Sequence, residues 1–114
     1  MDITYVTIDN GPYEEYLGKS NMDITVLPST DLPAREYNKI IRRTDAQYIC
    51  FIHSDVTTSG MHEAIERSIA FHPDFGALGA VGVLNGYKWG RKGVKQEVMT
   101  LDSCCLVINT EYGL

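Results

Sequence analysis

Three polar residues, His53, Ser54 and Asp55, directly follow the apolar run of residues 48–52. A carboxylate in this place suits Mg²⁺ or Mn²⁺, which proteins usually hold with one or two carboxylates and the phosphates of a substrate. Residues i and i+2 of an extended backbone point to the same side, so the spacing predicts that His53 and Asp55 face one ligand. An imidazole ligand would favour Mn²⁺ over Mg²⁺. A turn-forming aspartate beside a hydrogen-bonded histidine has the same spacing, and the triplet alone leaves both interpretations open.

The basic segment of residues 87–95 is a second candidate for ligand binding, because it places several cations around Trp89. The chain contains neither G-x-G-x-x-G nor G-x-x-x-x-G-K-[ST], so nucleotide phosphates would have to be bound by a metal and by side chains. Lys88 and Arg91, with Lys92, are therefore candidate phosphate ligands on a glycine-containing loop that closes over a substrate. A solvated loop without a ligand is the alternative interpretation.

The elements that position these groups follow from hydrophobic spacing and turn residues. Alternation of strands and helices predicts an α/β fold with a mostly parallel central sheet flanked by helices, in a single domain of residues 1–114. Ser59 is the expected N-cap of the helix that follows the triplet, and His62 and His72 are expected at its surface or end. The predicted strands cover residues 3–8, 23–29, 48–52, 75–84 and 104–108, and the predicted helices residues 13–20, 31–43 and 59–72.

The carboxyl ends of parallel strands are the usual place for a ligand in an open α/β sheet. The first predicted strand ends at Asp9 and Asn10, the second at Pro28 and Ser29, and the third at the His53 triplet. If these strands are parallel neighbours, we expect their ends to meet along one edge and to form the binding site there.

Composition excludes some classes of function. The 114 residues carry a net charge of −5, which disfavours sequence-independent binding to nucleic acid. No apolar run approaches the ~18 residues of a membrane span, and no secretory signal is visible at the N-terminus. The three cysteines, Cys50, Cys104 and Cys105, lie in apolar runs and are expected to be reduced core residues of a cytoplasmic protein.

The segment "LPAREYNKIIRRTDAQYICFIHSDV" resembles the core of a nucleotide-diphospho-sugar transferase of the GT-A fold, similar to the large family-2-like group. The resemblance lies in a helix bearing Asn38, a short "TDA" connection, and an aliphatic strand that ends in a variant Asp-x-Asp triplet. The later "VMTLDSCCLVINTEYGL" resembles the strand beside the donor sugar. The likeness runs along nearly the whole chain and is most specific over residues 32–56.

The resemblance implies roles for individual residues. Asp55 matches the carboxylate that binds the metal bridging the diphosphate, with His53 as a possible second ligand, and Asp102 matches a position near the sugar and the acceptor. The remaining matched positions face the nucleotide: Thr7, Ile8 and Asp9 at the uridine, Arg35 and Asn38 on the helix, and Ser54 near the ribose.

Two departures from the family pattern affect these expectations. The triplet begins with His53 where the family usually has Asp, so the role of this residue is open between a metal ligand, a ribose contact and neither. The chain is also unusually short, since typical members continue beyond Leu114 with an acceptor-binding part. It is expected to be a minimal catalytic core, to have lost acceptor binding, or to rely on a partner for that surface.

The resulting hypothesis is a Mn²⁺- or Mg²⁺-dependent glycosyltransferase that uses a UDP-sugar, with UDP-glucose as the first guess, and an undefined acceptor. An inverting reaction would need a general base, for which Asp102 is the candidate and Glu97 a weaker one; Asp102 equally fits a structural role at a strand end. The alternative is a catalytically reduced module that binds UDP or a nucleotide-sugar, and a third reading is an α/β interaction domain without ligand. A homo-oligomer is also compatible with so small a core.

Overall fold

Buried β-branched and aromatic runs form the strands that organise this chain, as their composition predicts. The computed structural model describes residues 2–9, 22–54, 56, 58–79, 82–84, 87–89, 100–101 and 105–111. The elements are, in chain order, β1 (Ile3–Ile8), β2 (Ile24–Leu27), α1 (Pro33–Arg43), β3 (Tyr48–Ile52), α2 (Met61–Phe71), β4 (Ala77–Gly79), β5 (Gly82–Leu84), β6 (Tyr87–Trp89), β7 (Thr100–Leu101) and β8 (Cys105–Asn109).

The main sheet has five strands in the order β2-β1-β3-β8-β4. β1 pairs in parallel with both β2 and β3, whereas β8 is antiparallel to both β3 and β4. The prediction of an α/β fold is therefore confirmed as a mixed sheet with helices. The prediction of a mostly parallel sheet is wrong for half of these pairings, because β8 enters the sheet in the reverse direction.

In the part of the chain that the structure describes, one helix packs on each face of the main sheet, because side chains alternate between the two faces along each strand. On one face, Tyr5, Cys50 and Ile52 pack with Ile65 and Ile69 of α2. On the other face, the core of Val6, Ile49 and Phe51 packs against α1 through Tyr37, Ile40 and Ile41. All five residues of β3 are buried, as expected of a central strand with helices on both sides.

The glycine-containing segment of residues 75–84 does not form the single strand that the sequence predicts. The structure has two short strands instead, β4 in the main sheet and β5 in a separate three-stranded sheet of order β6-β5-β7. Glycine weakens a strand interior, which explains why the segment does not continue as one strand. The expected loop after it is also partly wrong, since residues 87–89 form β6 and pair antiparallel with β5.

The helix starts differ from those predicted. α1 begins at Pro33 after Leu32 as N-cap, so Asp31, where the predicted helix starts, lies before the helix. α2 begins after Gly60, whose φ of 70° is left-handed, rather than after Ser59. Among the described helices, neither has the length and apolar character needed to cross a membrane.

Candidate functional site

The carboxyl ends of β1, β2 and β3 lie side by side at one edge of the main sheet. Ile8 pairs with Leu27, and the Asp9 N–H donates to the Leu27 carbonyl at 2.9 Å, so the chain remains attached to β2 just beyond the strand. Val6 pairs with Phe51, which places the last residues of β1 beside the end of β3. This arrangement confirms that these strand ends are parallel neighbours. We call this the carboxyl edge, comprising residues 7–9, 27–29 and 52–54.

Thr7 presents a buried hydroxyl at the carboxyl edge. It is 0% exposed, and its Oγ1 has no hydrogen-bond partner within the described part of the chain. Leaving a buried polar group unsatisfied costs about 1–3 kcal/mol, so such groups are uncommon and need an explanation. Its neighbours differ in burial: Ile8 is buried, whereas Asp9 is exposed and directs a carboxylate to solvent.

The chain turns immediately after β3. The Val56 N–H donates to the His53 carbonyl at 3.3 Å, and Ser54 is 6% exposed while His53 is exposed. β3 therefore ends at Ile52, before the triplet. That His53 and Asp55 face one ligand stays a prediction. Asp55 itself lies outside the described residues, so its assignment as a metal ligand remains a prediction.

Helix α1 starts at the carboxyl edge because it follows β2 after a short connection. Arg35 and Asn38 are three residues apart, which places them on neighbouring positions of the helix surface, and both are exposed. Tyr37 is directed to the sheet instead, where its ring stacks on Phe51 with centroids 4.0 Å apart, and burial raises its pKa. The stacked pair fixes the helix against the sheet while Arg35 and Asn38 remain accessible to a ligand.

The antiparallel direction of β8 has a consequence for the predicted catalytic residue. Cys105, where β8 begins, pairs with Ile52, where β3 ends, so β8 starts at the carboxyl edge. Asp102 precedes Cys105 by three residues and lies outside the described residues. A parallel β8, as the sequence suggested, would have started at the opposite edge. The predicted role of Asp102 therefore remains a hypothesis.

The cationic candidates are not brought to the carboxyl edge by any described contact. Lys88 belongs to β6 of the three-stranded sheet, where its backbone pairs with Val83, and its side chain lies outside the described part. Arg91 also lies outside the described residues. Their predicted role as phosphate ligands therefore remains a hypothesis.

A hydrogen-bonded group that the sequence reasoning missed joins β1 to α2. The Tyr5 hydroxyl is 2.5 Å from His62 Nδ1, and His62 Nε2 is 3.1 Å from a Glu66 carboxylate oxygen. Since a carboxylate only accepts, Nε2 carries the proton, and in the neutral ring Nδ1 accepts from the tyrosine. Burial, with the negative charges that Cys50 and Glu66 can carry, raises the pKa of Tyr5.

His62 is the second residue of α2 and its side chain is 40% exposed, so the expectation of a surface or helix-end histidine is confirmed. The i,i+4 spacing of His62 and Glu66 on a helix predicts their contact. Nothing in the sequence indicates that Tyr5 on β1 is the other partner of His62.

The predicted packing of the cysteines in the core is confirmed for the two that the structure describes. Cys50 is a buried free thiol and Cys105 a partly buried one, whereas Cys104 lies outside the described residues. Within the described ranges, no group of three or more His, Cys, Asp or Glu side chains could hold a metal ion. Among the described side chains at the carboxyl edge, the carboxylate of Asp9 and the imidazole of His53 are exposed groups of the kind that bind metal ions. They directly follow the adjacent strands β1 and β3.

Compared with family models and with curated proteins, this chain matches none. The functional interpretation therefore rests on the residues and geometry of the carboxyl edge.

Proposed function

We propose that this chain binds a nucleotide-diphospho-sugar, with UDP as the nucleotide, at the carboxyl edge and transfers the sugar to an acceptor. The observation that carries the proposal is the convergence of three parallel strand ends, β2, β1 and β3, at one edge of the sheet. In open α/β sheets this is where ligands bind, because the loops there are free to carry polar groups on a rigid frame. The finer assignment to the GT-A fold is part of this proposal.

The side chains at the carboxyl edge supply the types of contact that a nucleoside diphosphate needs. Thr7 offers a buried hydroxyl without a partner in the described chain, and Ser54 offers a second buried hydroxyl. Arg35 and Asn38 offer a cation and an amide on the accessible side of α1. Arg is well suited to diphosphate because its guanidinium presents several donors in a fixed plane. Together these groups could bind the base, the ribose and the phosphates.

The chemistry of the donor set fits a divalent cation in the carboxylate-plus-phosphate mode. A hard cation needs only one or two protein carboxylates when the substrate phosphates complete its ligands. Asp55 would hold it, with His53 as the second ligand, and the bound cation would supply Lewis-acid stabilisation of the leaving diphosphate. Lys88 and Arg91 would add positive charge at the same oxygens.

The acceptor side of the reaction requires removal of a proton from the attacking hydroxyl if the sugar is transferred with inversion. Asp102 is the proposed base, because it precedes by three residues a strand that starts beside the end of β3. Its carboxylate would accept the hydroxyl proton as the new glycosidic bond forms and the bond to the diphosphate breaks.

The experiment that tests this function is a panel of nucleotide-sugars incubated with the protein and Mn²⁺, scored for release of the nucleoside diphosphate. We expect release from a UDP-sugar, and loss of that release in Asp55→Ala. The matched control is Asp45→Ala, since Asp45 is an exposed aspartate before β3, at the opposite end of that strand. Asp45→Ala should retain the activity.

A thermal shift separates the proposal from the alternatives. UDP with Mn²⁺ at about 100 times its Kd should stabilise the fold by ~2.7 kcal/mol, since the ligand binds only the folded chain. Stabilisation without nucleotide release from any donor would contradict the transferase and leave a nucleotide-binding module. No stabilisation by any nucleotide would contradict both and leave an interaction domain.

A further inference from the structure

Two cysteine thiols face each other across β3 and β8 on the α2 side of the sheet. Cys50 pairs with Val107 and Cys105 pairs with Ile52, so the two cysteines are diagonal neighbours on the same face of an antiparallel pair. Their Sγ atoms are 3.9 Å apart. A disulfide bond is ~2.05 Å long, so the sulfur atoms need to approach by about 1.9 Å. The two thiols are therefore in van der Waals contact although the cysteines are 55 positions apart in the sequence.

The two thiols differ in access, which gives an order to their reaction. Cys50 is 0% exposed, whereas Cys105 is partly exposed at the start of β8. A hydrogen bond from the protonated Cys50 thiol lowers the pKa of Cys105, and the same hydrogen bond together with burial raises the pKa of Cys50. Since the thiolate is the nucleophile in disulfide exchange, Cys105 is the sulfur that meets an oxidant first.

We propose that Cys50 and Cys105 form a reversible intramolecular disulfide in the folded chain when a small-molecule disulfide is the oxidant. The Cys105 thiolate attacks one sulfur of the oxidant, forming a mixed disulfide and expelling a thiolate. Cys50 then loses its proton and attacks the Cys105 sulfur, forming the Cys50–Cys105 bond and expelling the second small thiol. Both protein thiols are oxidised, the oxidant is reduced to two thiols, and the two protons pass to the expelled sulfurs.

The bond would connect the middle of β3 to the start of β8. Cys105 pairs with Ile52, and Ser54 follows Ile52 by two residues, so one end of the crosslink lies beside the strand end that leads to Ser54. Closing a long loop restricts mainly the unfolded chain, so oxidation is expected to raise the melting temperature by several degrees. This inference is independent of the proposed function, since it concerns only the thiols and the strands that carry them.

The test is oxidation of the reduced, folded full chain by oxidised glutathione, followed by intact-mass measurement and peptide mapping without reductant. We expect the mass to fall by the two hydrogen atoms of the thiols, and a peptide pair that joins Cys50 to Cys105. Treatment with a reductant should restore both the mass and the two alkylatable thiols.

Cys104 provides the matched control, because it is adjacent to Cys105 in sequence. Cys104→Ser should oxidise as the unchanged chain does, whereas Cys105→Ser should lose the intramolecular bond, and Cys50→Ser should stop at a glutathione adduct on Cys105. If the Cys50→Ser chain fails to fold, alkylation of the oxidised Cys104→Ser chain still tests the proposal. Both of its remaining cysteines should then resist alkylation, because they form the disulfide bond. A crosslink that involves Cys104, a lasting glutathione adduct on the unchanged chain, or two thiols that stay alkylatable would overturn the proposal.

Discussion

Replacing Tyr5 by Phe removes one hydroxyl from the contact between β1 and α2 and keeps the ring in the core. Tyr5 is 4% exposed, and its hydroxyl is hydrogen-bonded to His62 Nδ1. A hydrogen bond of this kind contributes about 0.5–1.5 kcal/mol to the free energy of unfolding. His62 is half-buried, so water can replace the lost partner, and we expect Tyr5→Phe to cost ~1 kcal/mol or less near pH 8.

The same substitution should change the pH dependence of stability. Burial raises the pKa of Tyr5 above its ordinary value of 10.0, so the folded chain keeps the phenol neutral where the unfolded chain ionises. The contribution is fully present below pH 10 and falls as the pH rises through and above 10, because only the unfolded state then releases the proton. At pH 11 the unchanged chain should have lost ~1.4 kcal/mol through this group. Tyr5→Phe has no such loss.

Urea denaturation at pH 8 and pH 11, with a reductant to keep the thiols reduced, measures this difference. The unchanged chain should be the more stable at pH 8, and Tyr5→Phe should equal or exceed it at pH 11. Gly60→Ala is the matched control, since nothing lies within 4 Å of the added Cβ and its cost should be the same at both pH values. If the cost of Tyr5→Phe is also unchanged between pH 8 and pH 11, the reasoning about the buried phenol is refuted.

Other substitutions test the packing, the backbone and the proposed site. Phe51→Ala should lower the free energy of unfolding by about 3–5 kcal/mol in urea denaturation, because Phe51 is 1% exposed, whereas Phe71→Ala should cost less than ~0.5 kcal/mol, because Phe71 is 80% exposed. Gly60→Ala should cost about 1–2 kcal/mol by the same measurement and Gly60→Asn less, since φ is 70° and nothing lies near an added Cβ. Arg35→Ala should weaken UDP binding in calorimetry without lowering the melting temperature, because the side chain is exposed; equal affinities would remove Arg35 from the site.

The parts of the fold that the sequence predicts well are those with a strong local signal. The unbroken apolar run of β3 and the β-branched and aromatic residues of β1 were sufficient to place both strands. The direction of β8 could not be predicted in the same way, because an apolar strand has the same composition whichever way it runs. Pairing with β3 decides that direction, and pairing is a long-range property.

The candidate site could likewise be predicted only in part from the sequence. That β1 and β3 end side by side could be predicted from alternation of strands and helices, which favours parallel neighbours. That the chain turns at His53 and buries Ser54 could not, because the turn depends on a backbone hydrogen bond from Val56. The contact between Tyr5 and His62 was missed because it joins residues 57 positions apart.

The central claim is that a nucleoside diphosphate binds at the carboxyl edge of the main sheet. Titration of the ¹⁵N-labelled chain with UDP and Mg²⁺, followed through backbone amide chemical shifts, tests it most directly. The account predicts the largest shifts at Thr7, Asp9 and Ser54, with little change at Asp2 and Ala46 at the opposite edge, where the Tyr48 N–H donates to the Asp2 carbonyl. Shifts centred on Asp2 and Ala46, or no shift at any UDP concentration, would contradict it.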